Sequence, residues 1–256
     1  MTATGRHDGR RVLVAGGAAG IGRASALRLA AEGAHVVIGD RHDDQAGTVA
    51  QEVTSLGGSA FAVRFDVTDE SMVRAAVASA IDRLGGLDCV VSTVGIVDGG
   101  CTHELSLERW EQVIRVNLTG TFLVLKYAIP HLISADGGSI VTTGSVASLV
   151  SAGASSSYDA SKGGVLQLTR SVARLYADDG IRANCLCPGA VRTDIFANST
   201  EVLGEEPARG GFTVTPPINR FADPDEIAGV VSFLVSDDAS FMTGSAVMAD
   251  GGFTAI

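Results

Sequence analysis

Ser145, Tyr158 and Lys162 are residue types that, at this spacing, can move a proton to or from an oxygen. Tyr158 and Lys162 stand four apart in a segment of helical period, so they share one face about a turn apart. A tyrosine titrating near pH 10 is a poor proton shuttle at neutral pH, and a nearby ammonium favours its phenolate. Ser145 lies just past an apolar run that reads as a strand, and open α/β sheets bind ligands beyond the carboxyl ends of their strands. Its hydroxyl can donate to a carbonyl oxygen on which negative charge develops. A Tyr/Lys pair on a helix is common by itself, and Asn117, upstream in an apolar segment, reads alone as a local hydrogen-bonder.

A second constellation sits near the N-terminus. The apolar run 11–15 is followed by Gly16, Gly20, Ile21 and Gly22, where a helical pattern opens. Glycines at such a turn let the backbone approach a pyrophosphate, and the amides of a helix start favour negative charge. A glycine cluster alone is equally a tight turn. Asp40, closing the next strand, raises the odds of a dinucleotide site, because a carboxylate there accepts hydrogen bonds from ribose hydroxyls and repels a 2′-phosphate. The expected cofactor is therefore NAD. Arg41 beside it complicates the choice, since a basic residue there is a partner for that phosphate.

These residues are spread over a regular alternation. Strand candidates are 11–15, 34–40, 60–66, 87–92, 139–143, 181–187 and 246–250. Helix candidates are 20–32, 43–56, 69–84, 106–134, 157–178 and 225–235. Such alternation implies parallel βαβ units around a sheet buried on both faces. The expectation is an α/β fold: one domain over residues 1–256, a doubly wound parallel seven-stranded sheet of Rossmann type with helices on both faces. Residues 193–219 read as an irregular connection long enough to be a substrate flap.

Gly-x-x-x-Gly-x-Gly at 16–22, Ser145, Tyr158 and Lys162 together resemble the short-chain dehydrogenase/reductase family in its compact form, over roughly residues 8 to 254. Asp66-Val67 resembles its adenine contact, Asn117 its helix asparagine, Gly95 its cofactor floor, and Pro188-Gly189 with Thr193 its nicotinamide-carboxamide site. The resemblance implies Tyr158 as acid/base, Ser145 polarising the substrate oxygen, and Lys162 lowering the tyrosine pKa and binding the nicotinamide ribose. It also implies Asn117 holding a water in a proton relay. Ala15 stands where threonine is common, and Ser92-Thr93-Val94-Gly95 replaces Asn-Asn-Ala-Gly, both in the cofactor floor. The implied reaction is hydride transfer between NAD(H) and a secondary alcohol or ketone. An NADPH-dependent reductase, such as a 3-oxoacyl-carrier reductase, and a non-catalytic dinucleotide-binding regulator remain alternatives. A homotetramer is also implied, with Phe122, Leu123, Leu125, Val165, Leu166 and Leu168 as surplus apolar surface.

The 256 residues carry 29 acids against 19 Lys and Arg, a net charge of −10, which disfavours nucleic acid and anionic membranes as partners. The most apolar stretch, 116–133, is interrupted by Asn117, Lys126, Pro130 and His131. With a polar N-terminus and four cysteines outside any CxxC pair, Cys185 and Cys187 reading as small buried hydrophobes, the expectation is a cytoplasmic protein without a metal site. The flap region contains Ile195, Phe196, Val202, Leu203, Phe212, Val214 and Ile218, and also Asp194, Glu201, Glu205 and Glu206 against Arg209. Apolar and acidic together, it suits a small uncharged alcohol or ketone better than an acidic carrier protein.

Overall fold

Alternating side chains along each strand go to opposite faces, and the structure, a computed structural model describing residues 5–151, 153–203 and 216–255, is built on that rule. The order is β1 (Arg11–Ala15), α1 (Gly20–Ala31), β2 (His35–Asp40), α2 (Asp43–Ser55), β3 (Ser59–Arg64), α3 (Glu70–Leu84), β4 (Cys89–Ser92), α4 (Leu107–Ile114), α5 (Gly120–Ser134), β5 (Gly138–Thr143), α6 (Ser156–Leu175), β6 (Ile181–Pro188), α7 (Ile195–Leu203), α8 (Pro224–Val235) and β7 (Ala246–Ala249). The sheet runs β3-β2-β1-β4-β5-β6-β7, and every neighbouring pair is parallel. This is the doubly wound, Rossmann-type single domain that the alternation implies.

Val12, Val14, Val36, Ile38, Val91 and Val141 face one layer, where Ala26 and Leu29 of α1 and Ile227, Val231 and Leu234 of α8 cover them. Leu13, Val37, Val90 and Ile140 face the other, under Val73 and Val77 of α3 and Val124, Leu125 and Leu132 of α5. Strand order reverses between β1 and β4, the switch point at which such sheets bind ligands. In-register pairing brings Ala15, Gly39, Ser92 and Thr142 level at one edge, so the carboxyl ends of β1, β2, β4 and β5 open together.

Three details differ from the pattern read from sequence. The helix expected over 106–134 is divided by a π turn, Arg115–Thr119, with Asn117 at its centre; such turns are frequent at functional sites. The whole run Leu107–Ser134 spans 28 residues, long and apolar enough by composition to cross a membrane, yet half of its most apolar window is buried inside the fold. The supposed irregular connection holds a helix, α7. Asn198, Ser199 and Thr200 give it weak propensity, and tertiary contacts supply the rest. Finally, most of the apolar surplus assigned to subunit contacts is core. Leu123, Leu125, Val165 and Leu166 are buried within the chain and Leu168 packs against its core, whereas Phe122 stays exposed. Helices covering a sheet in two layers pack against one another as well as the sheet, which uses up this surface.

Candidate active site

The β1–α1 turn is shaped by close approach. A Cβ on Gly22 would sit 2.0 Å from the Gly16 carbonyl oxygen, and Gly16 itself has φ +81°. α1 starts after Ala19 with no side-chain cap and no acid in its first turn, so the amides of that helix start are left to a ligand in the cleft. Thr93 explains how Ala15 is tolerated. Its hydroxyl lies 3.0 Å from both the Ala15 and Gly16 carbonyl oxygens and its one proton serves that pair, so the polar support comes from the residue after β4 instead of from β1. Asp40 is pinned by two main-chain donors, Ala18 N–H at 3.1 Å and His42 N–H at 3.1 Å. Asp66 accepts from Thr68 N–H and Oγ1 in a local turn, and both Asp66 and Val67 line the cleft.

The catalytic candidates converge from two elements. Past β5, Ser145 is extended and caps a short turn, Val146–Ser148, accepting from Ala147 N–H at 3.2 Å. Ser148, which the sequence did not single out, fastens that turn to α6: its hydroxyl accepts from Ser145 N–H and donates to the Lys162 carbonyl at 2.8 Å. Gly144 passes so close over Cys185 and Cys187 of β6 that a Cβ there would lie 2.8 Å from the Cys185 sulfur. α6 is capped by Ser155, which accepts from Tyr158 N–H, so the serines at 155, 156 and 157 form a helix start, with Ala154 beside them lining the cavity.

Tyr158 and Lys162 are both buried. Lys162 Nζ donates to the Thr143 carbonyl at 2.8 Å and lies 5.8 Å from the Tyr158 ring centre. Burial takes the ammonium down to about 8. Burial also raises the Tyr158 phenol above its ordinary value, with the Ser145 hydroxyl pulling the other way. The lowering expected from Lys162 is not seen: the phenol stands above its ordinary value, because desolvation penalises both charged forms. Asn117 spends its amide on a brace: Oδ1 accepts from Ile96 N–H at 2.8 Å, and Nδ2 donates to Ile96 O and Ser161 Oγ, both at 2.9 Å. It joins the loop after β4 to α6, where a Cβ on Gly95 would come within 3.1 Å of Lys162 Nζ.

Across the cleft, Gly189 passes within 2.9 Å (Cβ position to Cα) of Asp250, and Pro188 ends β6 at the rim. Thr193 Cγ2 lies 3.0 Å from where a Gly20 Cβ would be, which places the root of the flap over the glycine turn. Ser199 of α7 accepts from Val97 N–H at 2.8 Å, tying the flap helix to the loop after β4. Phe212, Val214, Glu205, Glu206 and Arg209 lie outside the described residues, as does the Phe196 side chain.

One cleft of about 1240 Å³ joins all of this, from Asp40, Gln45 and Asp66 at one end to Ser145, Tyr158 and Lys162 at the other. A single drug-sized ligand takes about 300–1,000 Å³, so this volume suits a dinucleotide and a small substrate together. The catalytic end is apolar: Val97, Ala154 and Tyr158 form a cluster with Ile195, and Val146, Val202 and Phe253 line the same cavity. Phe253 had no signal in the sequence. The turn carrying it is held by Asp250, which accepts from Gly252 N–H, Thr254 N–H and Thr254 Oγ1. Burial raises the Asp250 carboxyl, and those hydrogen bonds outweigh it, leaving it below the ordinary range.

Comparison with known proteins agrees with this fold. A family model described as enoyl-(acyl carrier protein) reductase matches residues 16–254. Cyclohexanol dehydrogenase of Acinetobacter sp. (strain SE19) is 38% identical over 250 residues, covering 97% of this chain and 96% of that protein. Cis-4-hydroxycyclohexanecarboxylate dehydrogenase of Sinomonas cyclohexanicum is 41% identical over 248 residues, covering 96% and 97%. The crystal structure of a short-chain type dehydrogenase/reductase from Mycobacterium marinum superposes with a TM-score of 0.89 at 32% identity, covering 98% of this chain and 97% of that one.

Proposed function

The chain belongs to the short-chain dehydrogenase/reductase family, whose members named above support an oxidoreductase acting between alcohols and ketones, and from that premise we propose an NAD-dependent dehydrogenase of small, uncharged cyclic secondary alcohols. The observation that carries it is the single cleft in which Ser145, Tyr158 and Lys162 face an apolar chamber while an uncapped helix start and Asp40 line the far end. Gly16, Gly20, Ile21 and Gly22 would hold the pyrophosphate, Asp40 the adenosine ribose, Asp66 and Val67 the adenine. Gly95, Tyr158, Lys162, Pro188, Gly189 and Thr193 would hold the nicotinamide half. When bound, the nicotinamide supplies the hydride acceptor for oxidation, or the donor for reduction.

The chain's own residues do the rest. Ser145 donates to the substrate oxygen and keeps it beside the phenol. Tyr158 takes the hydroxyl proton during oxidation and returns it during reduction. Lys162, held by the Thr143 carbonyl, opposes the burial of the phenolate with its ammonium and would also hold the nicotinamide ribose. Asn117 fixes the loop after β4 against α6, its main-chain carbonyl takes the Thr121 hydroxyl at 2.7 Å, and the remaining Oδ1 lone pair is the acceptor it offers a relay water. The ring alcohols in the names of the two relatives fit an apolar chamber of this kind. A cytoplasmic homotetramer, without nucleic acid or membrane as partner, completes the proposal.

The description of the matching family model favours a second reading, a reductase of carrier-linked acyl groups. The net charge of −10 opposes approach of an acidic carrier. The purified enzyme is to be assayed with cyclohexanol, substituted cyclohexanols and their ketones against NAD⁺ and NADP⁺ (or the reduced forms), following nicotinamide absorbance. Turnover of ring alcohols with NAD⁺ is expected. Turnover confined to a carrier-linked 3-oxoacyl or enoyl substrate would replace the first reading by the second.

A further inference from the structure

Arg41 follows Asp40 at the end of β2 and is the natural bidentate partner for a 2′-phosphate arriving there. In the structure its guanidinium is paired elsewhere by charge, without a hydrogen bond from Nη2 among the described residues. Arg41 Nη2 lies 2.8 Å from Glu201 Oε2, and His42 Nε2 lies 3.3 Å from the same oxygen. Glu201 belongs to α7, the flap helix at the substrate side, and all three residues line the common cleft. One carboxylate from the flap thus faces both basic groups at the β2–α2 junction, while Asp40 is held separately by Ala18 and His42 main-chain amides.

We infer that Glu201 is a second determinant of coenzyme choice, engaging the Arg41 guanidinium that a 2′-phosphate would recruit and adding a negative charge where that phosphate would sit. The inference rests on the reading that Asp40 selects NAD. Binding NADP⁺ would require Arg41 to exchange Glu201 for the phosphate, and the freed carboxylate would remain nearby to repel it. An exposed ion pair alone contributes a few-fold to such an equilibrium, and the repulsion raises the expected discrimination to about tenfold. NAD⁺ asks for no such exchange.

Dissociation constants for NAD⁺ and NADP⁺, measured by titration calorimetry on the full chain, test this with Glu201→Gln, Arg41→Ala and the double variant. Glu201→Gln keeps the shape and removes the charge. Relative to the parent, it should narrow the NAD⁺-over-NADP⁺ ratio about tenfold, chiefly by tightening NADP⁺. In the Arg41→Ala background the same substitution should move the ratio by only about threefold, the share left to direct repulsion, since the group it releases is gone. A ratio unchanged by Glu201→Gln, or a tenfold gain that survives undiminished in Arg41→Ala, would overturn the inference. A parent that binds NADP⁺ more tightly than NAD⁺ would instead overturn the Asp40 reading on which it rests.

Discussion

The two ends of the cleft are built on opposite principles. The nucleotide end is made of main chain: glycines at 16, 20 and 22, an uncapped helix start, and Asp40 held by two amides. The catalytic end is made of side chains, with Tyr158 and Lys162 buried and both displaced toward their neutral forms by that burial. A backbone site tolerates chemical change around it, as Thr93 replacing a missing hydroxyl at Ala15 illustrates. A site of buried titratable groups holds unfavourable charge in readiness, and trades stability for chemistry.

Removing the phenol breaks the catalytic end most directly. Tyr158→Phe should lower turnover by roughly 10²–10⁴-fold while NAD⁺ binding, measured by calorimetry, stays within a few-fold. Because burial raises the Tyr158 pKa and the base form is needed to take the proton, alcohol oxidation by the parent should climb with pH through the alkaline range. The variant should lose that climb. Near-normal kcat in it would remove Tyr158 from the mechanism.

Lys162→Met sharpens the contrast by moving stability and activity in opposite directions. A folded-state pKa of about 8 against an ordinary 10.5 means that the unfolded chain binds more protons between those values. This group therefore makes stability rise with pH across that window, and its penalty is complete below about pH 8. With the charge gone, Tm at pH 7 should exceed that of the parent by the equivalent of roughly 1–2 kcal/mol, after loss of the hydrogen bond to Thr143 is set against the relief. The advantage should shrink toward pH 10.5. Turnover should fall with it, and a lower Tm at pH 7 would show that Lys162 is not a strained group.

The smaller effects belong to the periphery of each end. Phe253→Ala opens the apolar chamber, so KM for a small ring alcohol should rise about tenfold, from loss of roughly 1.5 kcal/mol of buried contact, with kcat little changed. Equal KM values in the two proteins would take Phe253 out of the substrate chamber. Thr93→Val removes one hydroxyl from under the glycine turn and keeps its volume. Weakening of NAD⁺ binding by about threefold to tenfold is expected, matching one hydrogen bond of about 1 kcal/mol. No change in calorimetry would mean that the turn holds its shape without that support.

The serine-rich run 151–157, Thr93 and residues 193–203 mark where reading along the chain stops being sufficient. Strand and helix order, the sheet type and the glycine turn were legible, because period and turn chemistry are local properties written in neighbouring residues, whereas the Ser145, Tyr158 and Lys162 set stood out only through the resemblance to a family. The π turn at Asn117, the tie made by Ser148 and the pairing of Glu201 with Arg41 join segments far apart in sequence, and only packing brings them together. The same holds for the raised Tyr158 pKa and for the burial of Leu123 and Val165, since desolvation is a property of what surrounds a group. Local pattern determined which elements form and which residues lie at their ends; long-range contact decided their charge states, their exposure and their partners.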